Sequence, residues 1–161
     1  MHTYTMMAKS LDSGKRAGEP RLPVLPCACA NLRRAARAVT QLYDQELRMT
    51  GLCVTQFTLL QALAYIGEIP QGCLGDRLSI DSTTLTRTLA NLRRERWIAI
   101  RTGTDRRERL VSLTASGRRQ FKLSYPHWER AQERLRRILG DQHWGELGEL
   151  MYKVVRSAKE A

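Results

Sequence analysis

The sequence predicts a mainly α-helical protein that carries one small β-hairpin. Over most of the chain, apolar residues recur at spacings of three and four, which is typical of helices that pack on one face. In two short segments, "WIAIRT" and "RLVSLT", the spacing changes to strict alternation, which is typical of strands. A chain of 161 residues is long enough for one hydrophobic core and too short for two of ordinary size. We therefore expect a single compact unit.

The chain begins with residues 1–26, whose glycines and prolines predict a flexible arm. A first helix is predicted from Cys27, because apolar residues follow one helix face from there to Gly51, which ends it. No apolar run approaches the roughly 18 residues that span a bilayer, and the start lacks the continuous apolar stretch of a secretory signal. We expect a cytoplasmic protein with no membrane partner.

Three short helices are predicted next. Thr55 is a plausible N-cap for the second helix, and Pro70 suits the first turn of the third. Asp81 or Ser82 caps the fourth. The core side of that fourth helix is predicted to consist of three leucines at helical spacing, Leu85, Leu89 and Leu92.

The predicted hairpin follows the fourth helix directly, with a loop that Gly103 begins. The third and fourth helices, joined by a tight polar turn, form a helix-turn-helix candidate. With the hairpin packed behind them, residues 51–117 are predicted to form a winged helix-turn-helix. Its inward-facing strand residues are expected to be Ile98, Ile100, Val111 and Leu113.

Two helices are predicted at the C-terminal end. Thr114 or Ser116 begins a long helix in which Pro126 is expected to cause a kink near residue 122. Asp141 is expected to cap the last helix.

The helices at both ends of the chain are predicted to be dimerisation helices. Residues 27–50 and 118–161 carry more apolar surface than one small central domain can cover. The natural partner for that surface is the same pair of segments in a second copy of the chain. The predicted fold class is therefore mainly α, a winged helix-turn-helix core flanked by N- and C-terminal dimerisation helices, in a homodimer.

Positive charge is concentrated in one part of the chain. The formal net charge is +11 and the pI is about 10.2. Residues 87–122 hold eleven Arg and Lys residues against three acidic residues and so contribute +8 of that charge. Such a patch predicts a polyanionic partner, and double-stranded DNA is the leading candidate. An anionic membrane surface comes second, because no basic helix with a lipid-facing stripe accompanies the patch.

The polar side of the fourth helix is suited to contact with DNA. Small hydroxyl residues early in a helix let its backbone approach a groove, while arginine can pair with a guanine edge and asparagine with an adenine edge. The predicted DNA-contacting residues of this helix are Ser82, Thr83, Thr84, Thr86, Arg87, Asn91 and Arg94.

The hairpin loop carries an unusual density of arginines. Arg106, Arg107 and Arg109 repel one another unless an anion neutralises them. The negative potential of a narrow minor groove attracts arginine in this way. Asp105 is expected to orient one of the guanidinium groups before DNA arrives.

These residues resemble the MarR-type winged helix-turn-helix transcription regulators over residues 27–158. The most specific part is Asp105-x-Arg107 followed by Val111-x-Leu113-Thr114-x-x-Gly117, and "STTLTRTLANLRRERWI" looks like that family's recognition helix. The resemblance implies a homodimer whose recognition helices enter consecutive major grooves of a pseudo-palindrome. It also implies that Arg107 enters a flanking minor groove and that Asp105 positions it.

The sequence departs from the family pattern where the fourth helix ends. The family usually has a glycine between the acidic end of the recognition helix and the first strand, and this chain has Glu95-Arg96-Trp97. A tighter or differently capped helix end is therefore expected.

The resemblance further implies release from DNA by a small-molecule effector, often a phenolic or aromatic acid. The first helix and the long helix would line its cavity. The candidate lining residues are Tyr43, Tyr125, His127 and Trp128, each of which is also an ordinary packing residue. No cofactor is expected.

The cysteines suggest an alternative, a thiol- or metal-responsive regulator. Cys27 follows Pro26 at the start of the first helix, where the positive helix end favours the reactive thiolate. Cys27 and Cys29 are candidates for oxidation, or for binding a soft metal together with His127 or His143. The competing interpretation is small buried thiols, because a single C-x-C lacks paired C-x-x-C spacing.

An enzyme is not expected. The sequence has no activated nucleophile with a base, no paired carboxylates, no phosphate-binding glycine loop and no zinc set at convincing spacing. A basic module that coats RNA or DNA without sequence preference is a further alternative, but the ordered polar face of the fourth helix favours sequence specificity. The sequence therefore predicts a DNA-binding transcriptional regulator, and we expect a repressor.

Overall fold

The computed structural model describes residues 26–160, so the predicted arm, up to residue 25, lies outside the described residues. The chain divides into two compact units, Met1–Thr40 and Gln41–Ala161, where the sequence predicted one. The elements in chain order are α1 (Ala28–Leu47), a 3-10 turn (Arg48–Thr50), α2 (Val54–Ile66), β1 (Ile69–Pro70), α3 (Gln71–Leu78), α4 (Ser82–Arg94), β2 (Ile98–Thr102), β3 (Arg109–Leu113), α5 (Ala115–Leu139) and α6 (Asp141–Glu160).

The predicted hairpin is confirmed, and it belongs to a three-stranded antiparallel sheet of order β1-β3-β2. Ile98 pairs with Leu113 and Ile100 with Val111, so the residues predicted to face inward share one face. The sequence did not predict β1. Its Pro70 pairs with Leu110 on the outer side of β3 and directly precedes α3, rather than lying in the first turn of that helix. Proline is tolerated there because an edge strand can lack one donor.

The core of the second unit lies where α2, α3 and α4 meet the sheet. The three leucines predicted for the core side of α4 are all buried, which confirms the helical phase of the prediction. Phe57 at the centre of α2 has no exposed surface. Other core residues with at most 1% exposure are Leu47, Leu59, Leu60, Leu63, Leu74 and Val111.

The predicted caps of α4 and α5 agree with the structure, whereas those of α2 and α6 do not. Asp81 caps α4 by accepting the Thr84 N–H over 2.9 Å, as predicted. The prediction that Thr55 caps α2 is wrong, because α2 begins at Val54. There the carboxylate of Asp44, ten residues earlier, accepts the Val54 N–H over 2.7 Å.

Of the last two helices, α5 begins as predicted and α6 does not. Thr114 caps α5 and accepts the Gly117 N–H over 3.0 Å, as predicted. The prediction for Asp141 is wrong, because Asp141 is the first residue within α6 and its carboxylate accepts from Arg136 over 2.7 Å. Helix α5 contains Pro126 and runs on to Leu139, and the kink near residue 122 stays a prediction.

The C-terminal end of α4 is capped without the glycine that is usual in the family. Arg96 takes the left-handed backbone conformation that glycine favours, with φ of 59°. The Trp97 N–H then closes the helix on the Leu92 carbonyl over 3.0 Å. The Arg96 carbonyl accepts from the hydroxyls of Thr114 (2.7 Å) and Ser116 (2.6 Å). The different cap that the departure implied is therefore an arginine in glycine's conformation, tied to the start of α5.

Among residues 26–160, no single helix has the length and apolar content to cross a membrane, although α1 with its 3-10 turn and α2 pass that test when taken together.

Candidate nucleic-acid interface

Helix α4 presents the polar face that the sequence predicted. Ser82, Thr83, Thr86, Arg87 and Arg94 are exposed. Thr84 and Asn91 are half-buried at its margins. The Asp81 cap satisfies a free N–H at the start of this helix, where the backbone would approach a groove.

The Asp81 cap also makes the stability of the folded protein depend on pH. The Thr84 N–H holds the pKa of this carboxyl below its ordinary value. Because the pKa is lower in the folded state, the stabilisation is fully present above the unfolded pKa and is lost as pH falls through the folded one. We expect Asp81→Asn, whose amide oxygen still accepts, to flatten the decline in melting temperature below about pH 4. Asp81→Ala should lower the melting temperature at neutral pH. Melting curves of the three proteins against pH test this, and an Asn variant with the wild-type acid decline contradicts it.

The loop between β2 and β3, which together with those strands we call the wing, has its own backbone closure. Gly103 donates to the Glu108 carbonyl, and Glu108 donates to the Asp105 carbonyl, both over 2.9 Å. The Asp105 carboxylate accepts the backbone N–H of Arg107 over 2.9 Å. Asp105 was predicted to orient a guanidinium, and the structure corrects this, because the carboxylate holds the backbone that carries Arg107 instead.

Three of the four arginines of the wing are available to a partner. Arg106, Arg107 and Arg109 are all exposed, and within residues 26–160 none of them takes part in an ion pair. The wing therefore presents three uncompensated positive charges at the end of a rigid turn.

Arg101, near the end of β2, differs from the three other arginines of the wing. It makes two hydrogen bonds to the carboxylate of Glu68, one of them 2.8 Å long from Nε to Oε2. These bonds lower the pKa of Glu68 and raise the pKa of Arg101. Glu68 precedes β1, so this pair ties the wing to the segment that enters the helix-turn-helix. The sequence counted Arg101 as part of the basic patch and missed its partner.

Two open grooves flank α4 and join it to the wing. One, of about 360 Å³, runs from α3 and Ser82 to Arg107 and Arg109. The other, of about 440 Å³, is lined by Thr86, Ala90, Arg93, Arg94, Leu89, Gln71, Ile100 and Arg109. Since Arg109 lines both grooves, Ser82, Thr86 and Arg94 of the predicted α4 face form one continuous surface with Arg107 and Arg109 of the wing. The other predicted residues of this helix, and Arg106, line neither groove.

Gln71 and Arg93 belong to this surface and were not predicted. Gln71, the first residue of α3, lines both grooves and donates from Nε2 to Thr86 Oγ1 over 3.1 Å. A sequence signal for Gln71 is lacking, since the contact joins residues fifteen positions apart. Arg93 was visible as part of the charge count but lies on the edge of the predicted face.

The predicted effector-lining residues are only partly brought together. Tyr125 and Trp128 are half-buried with ring centroids 5.2 Å apart, and Trp128 stacks on Phe57 at 5.7 Å. Tyr43 is buried, which raises its pKa, and donates to Gln132 Oε1 over 2.8 Å. His127 Nδ1 lies 3.0 Å from the Glu46 carbonyl. Tyr43 and His127 therefore make contacts between the end of α1 and α5, whereas Tyr125 and Trp128 belong to an aromatic cluster on α2 and α5.

The cysteines are exposed, which contradicts the expectation of buried thiols. Cys27, Cys29, Cys53 and Cys73 are all free and exposed. Cys27 directly precedes α1 and its carbonyl accepts the first helical hydrogen bond, from Asn31. His143 Nδ1 lies 3.1 Å from the Leu139 carbonyl. In the part of the chain that the structure describes, no group of three or more His, Cys, Asp and Glu residues is placed to hold a metal ion.

Comparisons with known proteins agree with this architecture. The family model described as MarR family matches residues 50–108. The transcriptional regulator MosR of Mycobacterium tuberculosis, in its complex with DNA, is 33% identical with a TM-score of 0.76, and the match covers 83% of this chain and 97% of that one.

Two further matches extend the comparison. The uncharacterised HTH-type transcriptional regulator YwoH of Bacillus subtilis is 30% identical over 91 residues, which are 56% of this chain and 66% of YwoH, slightly under two thirds of its length. The PcaV regulator of Streptomyces coelicolor, with its natural ligand, is 19% identical with a TM-score of 0.75, covering 87% of this chain and 99% of that one, and so shares the fold. With its winged helix-turn-helix and with relatives that are regulators and not enzymes, this chain belongs to the MarR family of transcriptional regulators.

Proposed function

We propose that this protein is a sequence-specific DNA-binding repressor that acts as a homodimer. The observation that carries the proposal is the continuous surface formed by α4 and the wing, whose two grooves share Arg109. The unpaired arginines of that surface favour a polyanionic partner. The capped polar helix beside them favours duplex DNA, whose grooves expose the edges of the bases. The relative MosR was crystallised with DNA, which supports the same partner here.

The proposed binding mode follows from the chemistry of the two parts. Helix α4 enters the major groove, where Arg87 can donate two hydrogen bonds to a guanine edge and Asn91 can donate to N7 of adenine while accepting from its N6 amino group. Arg107, on the backbone turn that Asp105 holds, enters the adjacent minor groove, where the potential is most negative. The bases are thus read by α4, and the wing adds affinity and register.

The homodimer is supported by apolar side chains left exposed at the C-terminal end. Ile138 on α5 is 66% exposed and Leu150 on α6 is 55% exposed. Val154 and Val155 on α6 are exposed as well. A second copy would cover these side chains, and the two α4 helices of such a dimer would have to match half-sites about 34 Å apart, one helical turn of DNA, on a pseudo-palindromic operator.

Release from the operator by a small aromatic molecule is part of the proposal. Half-buried Tyr125 and Trp128 offer ring faces for an aromatic ligand beside α2, which packs on the DNA-binding core. PcaV, which shares the fold, was crystallised with a natural ligand. The alternative signal is oxidation of Cys27 and Cys29, which their exposure favours.

A competition gel-shift experiment tests the proposed function. The promoter fragment upstream of the protein's own gene is bound at physiological salt and challenged with excess random DNA. We expect the specific complex to survive about a thousand-fold excess of random sites. If random DNA removes the protein in proportion to its concentration, the protein coats nucleic acid without sequence preference and the proposal is wrong.

A further inference from the structure

We propose that Gln71 is a specificity-determining residue, because its side-chain amide fixes the hydroxyl of Thr86 as a hydrogen-bond donor toward DNA. The inference rests on the proposed function, in which α4 lies in the major groove. The contact that carries it joins Gln71 Nε2 on α3 to Thr86 Oγ1 on α4 over 3.1 Å. Gln71 lies outside the helix that reads the bases, so it acts through Thr86.

The amide is held at a defined position. Gln71 is half-buried at the first position of α3. It follows Pro70, whose ring fixes the backbone and whose strand pairs with Leu110 of the wing. The sheet therefore anchors the backbone from which the amide reaches Thr86.

Thr86 differs from its helical neighbour in how its hydroxyl is used. Thr88 donates its hydroxyl to the Thr84 carbonyl over 2.8 Å, the usual back-bond of threonine within a helix. Thr86 accepts from Gln71 and is exposed. A hydroxyl has one hydrogen and two lone pairs. Because the amide occupies a lone pair, the hydroxyl hydrogen of Thr86 points away from Gln71 and is available to another acceptor.

The direction of that hydrogen selects among bases. The groove of about 440 Å³ beside Thr86 is bounded by Arg94 and Arg109, so a bound duplex would bring base edges to this hydroxyl. In the major groove, guanine presents N7 and O6, adenine N7 and thymine O4 as acceptors, whereas cytosine presents the N4 amino donor. A donating Thr86 therefore discriminates against cytosine at the base that it contacts.

The test varies each base pair of one operator half-site in turn and measures the affinity of each duplex. We expect the wild-type protein to disfavour cytosine at one position by about five-fold, the effect of one hydrogen bond. Gln71→Met removes the amide and should bring this ratio close to one. Gln71→Glu is acceptor-only, so Thr86 should donate to it and turn its lone pairs to DNA, which shifts the preference toward cytosine. Since the added negative charge weakens binding to every duplex, the ratio between duplexes is the readout.

Gln142 on α6 supplies the matched control. Gln142→Met and Gln142→Glu make the same chemical changes away from the grooves and should keep the wild-type ratios. In the double variant Gln71→Met with Thr86→Val, we expect the ratio of Thr86→Val alone, because Gln71 acts only through that hydroxyl. If Gln71→Met melts early, Gln71→Asn breaks the same contact with a shorter amide.

Two results overturn the inference. If the Gln71 variants keep both the wild-type affinities and the wild-type ratios between duplexes, Gln71 does not direct Thr86. If they bind every duplex more weakly but keep those ratios, Gln71 contacts only the DNA backbone. In both cases the operator is still preferred over random DNA, so the proposed function stands. If the wild-type protein itself fails to prefer the operator, the proposed function and this inference fail together.

Discussion

Replacing Gly117 by alanine is expected to destabilise the protein by about 3 kcal/mol, the upper part of the range for overpacking a buried site. A Cβ atom built on Gly117 would lie 1.9 Å from the Trp97 carbonyl oxygen and 2.8 Å from its carbonyl carbon. Both atoms belong to backbone, so no side-chain rotation can relieve the overlap. The backbone at Trp97, just before β2, and the first turn of α5 must move apart instead.

The separation should also reach the DNA interface. Trp97 closes the C-terminal end of α4 and directly precedes β2, and Thr114, which caps α5, contacts the same turn. We therefore expect Gly117→Ala to lower the melting temperature by about 6–12 °C and to weaken operator binding. Thermal and urea denaturation, followed by circular dichroism, measure the first effect.

Gly148 on α6 gives the control for this substitution. A Cβ there meets nothing within 4 Å, so Gly148→Ala should stabilise the helix by about 0.5–1 kcal/mol. Opposite signs for the two substitutions separate the steric effect at Gly117 from the general preference of helices for alanine. A Gly117→Ala protein as stable as wild type would contradict the close approach of α5 to Trp97.

Replacing Arg107 by alanine is expected to weaken operator binding by about ten-fold, the effect of one charge-assisted contact. Arg107 is exposed and has no ion pair within the described residues. Its backbone N–H donates to the carboxylate of Asp105, which fixes the turn. The loss should be similar on operators that differ in the bases read by α4. The slope of log affinity against log salt should become shallower by about 0.9, one phosphate equivalent.

Arg137→Ala is the matched control, because it removes the same charge from α5, where Arg137 pairs with Glu133 in an exposed contact. Both variants have the same net charge, so a difference in their affinity for DNA shows that the position of the removed arginine matters. Fluorescence anisotropy titrations at several salt concentrations measure both quantities. Wild-type affinity for Arg107→Ala would remove the wing from the interface.

The fold was predictable wherever a pattern repeats within one element. Leucines at helical spacing placed α4 in its correct phase, and alternation of Ile98 and Ile100 gave β2. Strand β1 has only two residues, too few for any period, and exists because β3 offers a free edge. The start of α2 was misplaced because its N-cap is Cys53, whose N–H donates to Gln56, and because Asp44 on another helix accepts the Val54 N–H.

The residue types of the candidate site could be predicted from the sequence, but the contacts between residues distant in the sequence could not. The arginines of the wing and the polar face of α4 follow from residue type and helical phase. The partners that only folding brings together did not: Glu68, which pairs with Arg101 from 33 positions away, and Gln71, which contacts Thr86. Charge counting cannot distinguish a paired arginine from a free one, because that difference depends on a neighbour distant in sequence.

The short strand β1 has a mechanical consequence for target choice. Its two paired residues and the adjacent Glu68–Arg101 pair fasten both strands of the hairpin, close to the loop, to the entry of α3. The distance between α4 and the wing loop that carries the arginines is therefore fixed. Operators must supply the matching groove spacing by bending or narrowing, so we expect stiff and pliable sequences with identical contacted bases to be bound with different strength.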